Sequence, residues 1–224
     1  MRNTRRRTAI LISGRGSNMA SLIAAAKHPD YPAEIALVLS NRPDAAGLAF
    51  AKDHHIATAA VDHKIYAGRE AFEGVLQKML EMHRIDLVCL AGFMRLLTPS
   101  FTQSWQGRML NIHPALLPAY KGLHTHERAL ADGVKIHGCT VHYVVPEMDS
   151  GPIIAQSAVP VLDGDDAQTL AARVLAQEHI IYPRALELVA AGRVRIEGNR
   201  VMGACAHVEH TPLAVPGFDA EEDG

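Results

Sequence analysis

The segment Asn111-Ile112-His113-Pro114, followed by Leu116-Leu117-Pro118 and later by Asp149-Ser150-Gly151-Pro152, supplies an amide, an imidazole and a carboxylate. Acyl transfer uses those groups. If residues 111–113 end a strand, the pleat points Asn111 and His113 to one face, one repeat apart. The amide is a permanent donor, the imidazole can donate or accept near neutral pH, and a nearby carboxylate can hold that ring in its charged form. Such a set suits a developing oxyanion. Taken singly, a buried Asn or His is more often a satisfied structural group. Asp149, in the loop Val145–Gly151, is equally a common turn former. Pro114, directly behind the pair, stiffens the chain as it leaves the sheet and favours the functional reading.

A second candidate is Gly14-Arg15-Gly16-Ser17-Asn18, between an apolar run and a helix-forming stretch. Free backbone N–H groups and the helix dipole favour an anion there, and phosphate is the expected guest. The alternative is a tight turn with Ser17 capping the helix. Position at the carboxyl end of the first strand favours the anion site. A dinucleotide fingerprint would need a third small residue where Met19 stands, and no Gly-Lys-Ser/Thr follows for a nucleotide triphosphate. Thr140 and His142 share a strand face and line either the site or the core. His124, His126, His137 and His142 invite a metal reading, but the spacings of zinc enzymes are missing, as they are in His207-Val208-Glu209-His210. No metal is expected.

The elements that must position these groups follow from periodicity. Thr8–Ser13, Glu34–Leu39, Ala57–Val61, Asp86–Ala91 and Arg108–Ile112 read as strands, alternating with helices at Met19–Ala26, Ala45–His54, Arg69–Ile85 and Thr98–Trp105. Five parallel strands thus lead to the Asn-His segment. In the helix Arg69–Ile85, the residues Phe72, Val75, Leu76, Met79 and Leu80 repeat along one buried face, and the other face is charged. Thr98 caps the fourth helix. Ala115–Thr125 is a loop, His126–Asp132 a short helix, and His137–Val145 with Ile153–Val161 an antiparallel pair. Asp165–Ala191 is a long helical pattern that Pro183 must kink or interrupt. Val194–Glu197 and Arg200–Met202, joined by Gly198-Asn199, form a hairpin.

The chain has 224 residues, enough to bury a sizeable core without staples. With 48% hydrophobic and 21% charged residues it reads as a globular α/β protein, and no run approaches membrane-spanning length. Arg2, Arg5, Arg6 and Arg7 precede an apolar stretch too short for a signal peptide. A net charge of −2 and the lack of interleaved aromatics favour a solvated terminus over a nucleic-acid arm. Cys89, Cys139 and Cys205 are odd in number and unpaired in spacing, as expected of a reducing cytoplasm. The breakers and acids after Thr211 predict a mobile tail.

Several motifs together resemble the phosphoribosylglycinamide formyltransferase family: ISGRGSN at 12–18, AGFMRLL at 91–97, NIHPALLP at 111–118, GLHTH at 122–126, HGCTVHYV at 137–144, DSGPII at 149–154 and QEHIIYP at 177–183. The similarity runs in unbroken order from about Ile10 to Glu197. It implies a Rossmann-like, mostly parallel sheet with helices on both faces, the C-terminal part adding antiparallel strands and a long helix. One formyltransferase domain is expected over residues 1–202, with a phosphate-binding half at about 8–105, a folate and catalytic half at about 106–202, and the tail at 203–224.

The resemblance further implies formyl transfer from 10-formyltetrahydrofolate, used as cosubstrate, to the amine of glycinamide ribonucleotide. Gly16, Ser17 and Asn18 would meet the ribonucleotide phosphate, and Leu175, Ala176, Gln177 and Glu178 the rest of that substrate. Met94, Arg95, Leu96 and Leu97, with Asn111 and the loop Val145, Pro146, Glu147, Met148 and Asp149, would border the folate, and Arg69 would meet its carboxylate end. Asn111, His113 and Asp149 would be the catalytic trio. The expected partners are small-molecule substrates, with neither nucleic acid nor membrane, and the chain is expected to be cytoplasmic and a monomer or homodimer. Arg15 and Lys121 fall at positions variable in the family pattern, and residues after Met202 match none of it. A formyltetrahydrofolate hydrolase would add an amino-terminal regulatory domain and a methionyl-tRNA formyltransferase a carboxyl-terminal nucleic-acid-binding domain, and the chain is expected to hold neither. A phosphate-ligand-binding module without activity is the remaining alternative.

Overall fold

Leucine- and valine-rich runs punctuated by Gly and polar turns fold as an alternation of strands and helices. The computed structural model describes residues 5–203 and Val215. In chain order the first elements are β1 (Arg6–Ile12), α1 (Ser17–Ala26), β2 (Ala33–Ser40), α2 (Ala46–Asp53), β3 (Ala57–Ala60), α3 (Arg69–Met82), β4 (Leu87–Leu90), α4 (Pro99–Ser104) and β5 (Met109–His113). Then come α5 (Thr125–Ala131), β6 (Ile136–Tyr143), β7 (Ile153–Pro160), α6 (Ala167–Ala190), β8 (Arg195–Glu197) and β9 (Arg200–Met202).

The central sheet has seven strands in the order β3-β2-β1-β4-β5-β6-β7. β1 to β5 are parallel, and β6 and β7 are antiparallel to their neighbours. Strand order reverses between β1 and β4, so the loops leaving their carboxyl ends flank a crevice, the usual ligand position in such sheets. The expected α/β class, five parallel strands and β8–β9 hairpin are all found.

Alternation along the strands divides the core. Ile10, Ile12 and Val38 face α1, α2 and α6 through Leu22, Leu48 and Leu170. Ala9, Leu11, Leu37 and Val88 face the opposite way, toward Phe72, Leu76 and Leu80 of α3 and Phe101 of α4. Burying each such large side chain contributes about 1.5–3 kcal/mol, which holds α3 against the sheet despite its polar outer face. No described helix is long and apolar enough to cross a membrane.

Several expectations need correction. Pro183 does not interrupt α6, which runs unbroken through it. The lost N–H and the crowding of the ring against the preceding turn are local, and buried Tyr182, Ala185 and Leu186 on either side hold the helix together. Nor is the basic start a solvated terminus as far as it is described: Arg6 and Arg7 begin β1, and Arg5 donates to the carbonyls of Ala26 and Ala33. Arg7 pairs with Glu34 at 2.6 Å and donates to His83 O. On the charged face of α3, Glu73 is buried and accepts from Thr98 N at 2.7 Å and from the Thr98 hydroxyl. Thr98 does cap α4, accepting from Phe101 N. The expected tail, residues 203–224, lies outside the described residues apart from Gly203 and Val215.

Candidate active site

β5 ends in the crevice with Asn111 and His113 on one face, as the two-residue period requires. β6 runs alongside and places His142 opposite Asn111 and Thr140 opposite His113. The β6–β7 loop then returns Asp149 to the same place with a left-handed backbone, φ 50°. Asp149 Oδ2 lies 3.5 Å from His113 Nδ1, and Oδ1 lies 3.8 Å from His142 Nε2. The carboxylate is anchored by Gly122 N, which donates to Oδ2 at 2.8 Å. Three groups distant in the chain therefore meet at one point.

The two nitrogens of His113 have different surroundings. Nε2 lies 2.9 Å from the carbonyl of Tyr120, so its proton is committed to the loop. Nδ1 faces Asp149 at a separation longer than a good hydrogen bond and is the nitrogen left for chemistry. His142 is fixed differently: Nδ1 donates to Tyr143 O at 2.9 Å, which leaves Nε2 as acceptor for the Asn111 amide at 3.2 Å. Burial holds the His142 pKa below its ordinary value, against smaller opposing effects of the Tyr143 carbonyl and Asp149. His142 is thus neutral while Asn111 leans on it.

These groups floor a cleft of about 640 Å³. Met94, Arg95, Leu96, Leu97, Val145, Pro146, Glu147 and Met148 line it, together with Leu123 and Val144. Met94, Leu96, Leu123 and Met148 leave 50–69% of their surface exposed around its mouth. A rim of exposed large apolar side chains about a polar floor fits a flat, largely aromatic ligand. A larger hollow of about 860 Å³ lies at the amino-terminal ends of β1, β2 and β4, lined by Arg5, Arg7, Arg84 and Asp86 among others. Size alone would favour it, but Arg5 and Arg7 already serve backbone carbonyls and Glu34, and no catalytic set is present.

The ribonucleotide candidates form a separate group. Gly16, φ 75°, is the N-cap of α1 and makes no side-chain cap, so Ser17 begins the helix rather than capping it. The first-turn N–H groups are left for a ligand. The turn is supported from below by α2: Gly47 N donates to Gly14 O at 3.1 Å, and a Cβ on Gly47 would lie 3.1 Å from that same oxygen. Asn18 Nδ2 donates to Glu178 Oε2 at 2.6 Å, joining the turn to α6, while Asn18 Oδ1 is buried without a partner. Burial raises the Glu178 pKa, with Asn18 opposing. Gln177 is tied to Ser157 at 2.9 Å, Leu175 is half-buried and Ala176 is exposed.

Two expected residues sit elsewhere. Arg69 is exposed at the start of α3 and does not line the cleft. Thr140 does share a face with His142 but is fully buried: its hydroxyl donates to Ala115 O at 2.6 Å and accepts from Leu117 N and Gln156 Nε2 at 3.0 Å. It braces the loop behind His113. Sequence reasoning missed the backbone groups of Tyr120 and Gly122, whose only trace was the loop-forming glycine, and also missed Gly47. His126 and His137 stack edge to face behind His113, with ring centroids 5.3 Å apart. Among the described residues no group of three His, Cys, Asp or Glu side chains is placed to hold a metal.

The family model described as formyl transferase matches residues 6–186. The chain is 42% identical over 213 residues to phosphoribosylglycinamide formyltransferase of Escherichia coli (strain K12), covering 95% of this chain and 98% of that one. It is 49% identical over 193 residues to the human trifunctional purine biosynthetic protein adenosine-3, covering 86% of this chain but only 19% of that protein's length. The crystal structure of glycinamide ribonucleotide transformylase 1 from Symbiobacterium toebii superposes with a TM-score of 0.86 at 44% identity, covering 90% of this chain and 94% of that one.

Proposed function

The chain belongs to the formyl transferase family, and we propose that it transfers the formyl group of 10-formyltetrahydrofolate to the amine of N1-(5-phosphoribosyl)glycinamide, a step of purine biosynthesis. The observation that carries this reading is the meeting of Asn111, His113 and Asp149 at the floor of an apolar-rimmed cleft. The names of the relatives support the substrate pair.

In this reading the domain has a phosphate-binding half and a folate-binding half that share one sheet. The α1 turn at Gly16, Ser17 and Asn18 takes the phosphate, and Glu178 with Leu175, Ala176 and Gln177 borders the ribonucleotide. The apolar rim takes the flat folate ring. Arg69 stands apart from the cleft and could reach only a substrate end that extends past it.

The chemistry follows from where protons sit. The neutral substrate amine attacks the formyl carbon, and negative charge develops on the formyl oxygen. Asn111 directs one amide proton to His142 and has a second for that oxygen. His113, protonated, adds the Nδ1 proton. Asp149, held by Gly122 N, stabilises the imidazolium and helps pass a proton from the attacking amine to the leaving folate nitrogen. No group on the chain needs to be acylated. Such preorganised donors stabilise the transition state more than the ground state, which is where rate comes from.

The test is product formation by purified protein with both substrates and with each omitted. Formylation that requires the ribonucleotide supports the reading. Formate release without it identifies a hydrolase, and binding without turnover identifies a ligand-binding module.

A further inference from the structure

Between β1 and the Gly14 turn stands Ser13, buried at 7% exposure. Its hydroxyl donates to Asn41 Oδ1 at 2.6 Å and accepts from the backbone N–H of Met94 at 2.8 Å. Met94 belongs to the loop Gly92–Leu97 that leaves β4, so this bond spans the reversal of strand order and joins the two loops that flank the crevice. We propose that Ser13 is a positioning residue that sets the backbone of the Gly92–Leu97 loop for the formyl donor.

Three observations support the assignment. First, that loop has no regular structure of its own, and its Met94 and Leu96 side chains are 68% and 64% exposed. Their placement therefore depends on where the backbone is held. Second, Phe93 packs into the core, but the loop's backbone accepts side-chain support at two points: Met94 N by Ser13, and Thr98 N just beyond it by the buried carboxylate of Glu73 at 2.7 Å. Neither anchor is itself part of the cleft wall. Third, the hydroxyl is not free to turn away. Because Met94 N–H needs an acceptor, the Ser13 proton goes to Asn41 Oδ1, and Asn41 is 2% exposed with its side-chain nitrogen 3.2 Å from His63 Nδ1. The chain Met94 N–H to Ser13 to Asn41 thus fixes one rotamer of each member.

The effect should be selective. The phosphate turn has its own support in Gly47 N and in the Asn18–Glu178 bond, so losing the Ser13 hydroxyl leaves it in place. The Met94 loop loses one of the two side-chain hydrogen bonds that hold its backbone. The inference rests on assigning that loop to the formyl donor, and the experiment separates the two. Wild-type protein is assayed first, and absence of formyl transfer there overturns the function rather than the role of Ser13.

Given wild-type turnover, Ser13→Ala is expected to raise KM for the formyl donor about 10-fold, with KM for the ribonucleotide changed less than about 2-fold. Hydrogen exchange at the Met94 amide should accelerate by a similar factor, and Ser13→Thr, which keeps the hydroxyl, should restore both. Should Ser13→Ala fail to fold, Asn41→Ala provides the second test: it frees the hydroxyl rotor and should give a smaller rise in donor KM alone. Unchanged donor KM in folded Ser13→Ala, equal rises in both KM values, or unchanged Met94 exchange would each overturn the proposal.

Discussion

The side-chain amide of Asn111 lies 3.2 Å from Nε2 of His142 across the β5–β6 pair, and that ring accepts because its own proton is given to Tyr143 O. Burial lowers the His142 pKa from 6.5, so the neutral, accepting ring persists below that value. Further acidification adds a second proton, turns Nε2 into a donor and pushes the Asn111 amide away. Turnover should therefore fall below pH 6.5 more steeply than protonation of the substrate amine alone requires, and His142→Leu should remove that extra fall while lowering neutral-pH turnover about 10-fold. The check is kcat against pH from 5 to 8 for both proteins. An unchanged fall in the variant would contradict the role assigned to His142.

Thr140→Val keeps the shape of a fully buried side chain but deletes a hydroxyl with three partners, Ala115 O, Leu117 N and Gln156 Nε2. Leaving such groups unpaired costs about 1–3 kcal/mol each, partly recovered by relaxation, so a loss of about 2–4 kcal/mol in unfolding free energy is expected. Urea denaturation measures it. A wild-type midpoint would show that the hydroxyl braces nothing.

His137, 1% exposed, has its pKa lowered from 6.5 to about 4, chiefly by burial and then by the charge of His126. The unfolded chain consequently binds the proton first as pH falls. Stability contributed by the neutral ring is complete above pH 6.5 and is lost progressively toward pH 4. Fully expressed, the shift corresponds to on the order of 3 kcal/mol. His137→Gln, which stays polar but does not titrate, should flatten unfolding free energy across that interval. Parallel curves for variant and wild type would refute the assignment.

What the sequence reveals depends on how local the cause is. The strands β1, β2, β4 and β5 are legible because both of their faces are largely buried, so they appear as short apolar runs, and α3 because Phe72, Leu76 and Leu80 keep a helical period. Asn111 and His113 are legible because a strand's pleat alone decides that they share a face. Asp149 is legible through the motif resemblance, but its distance from His113 depends on the length and turn of the β6–β7 loop, which no local pattern states. Tertiary causes stay hidden. Glu73 reads as one of the charged residues of the helix until α4 is placed over it, and Thr140 reads equally as a site or a core residue until the loop behind His113 closes on its hydroxyl. Arg5 and Arg7 read as a solvated start because their carbonyl and carboxylate partners are distant in sequence.

In the proposed mechanism Asp149 acts on the reaction through His113, from 3.5 Å away, with Gly122 N holding it in place. Asp149→Asn preserves size and turn-forming character while removing the charge that stabilises the imidazolium. Turnover by this variant, measured with both substrates saturating, is predicted to fall by about 10² or more while its melting temperature stays near that of wild type. Turnover within 2-fold of wild type, in a protein that remains folded, would contradict the account.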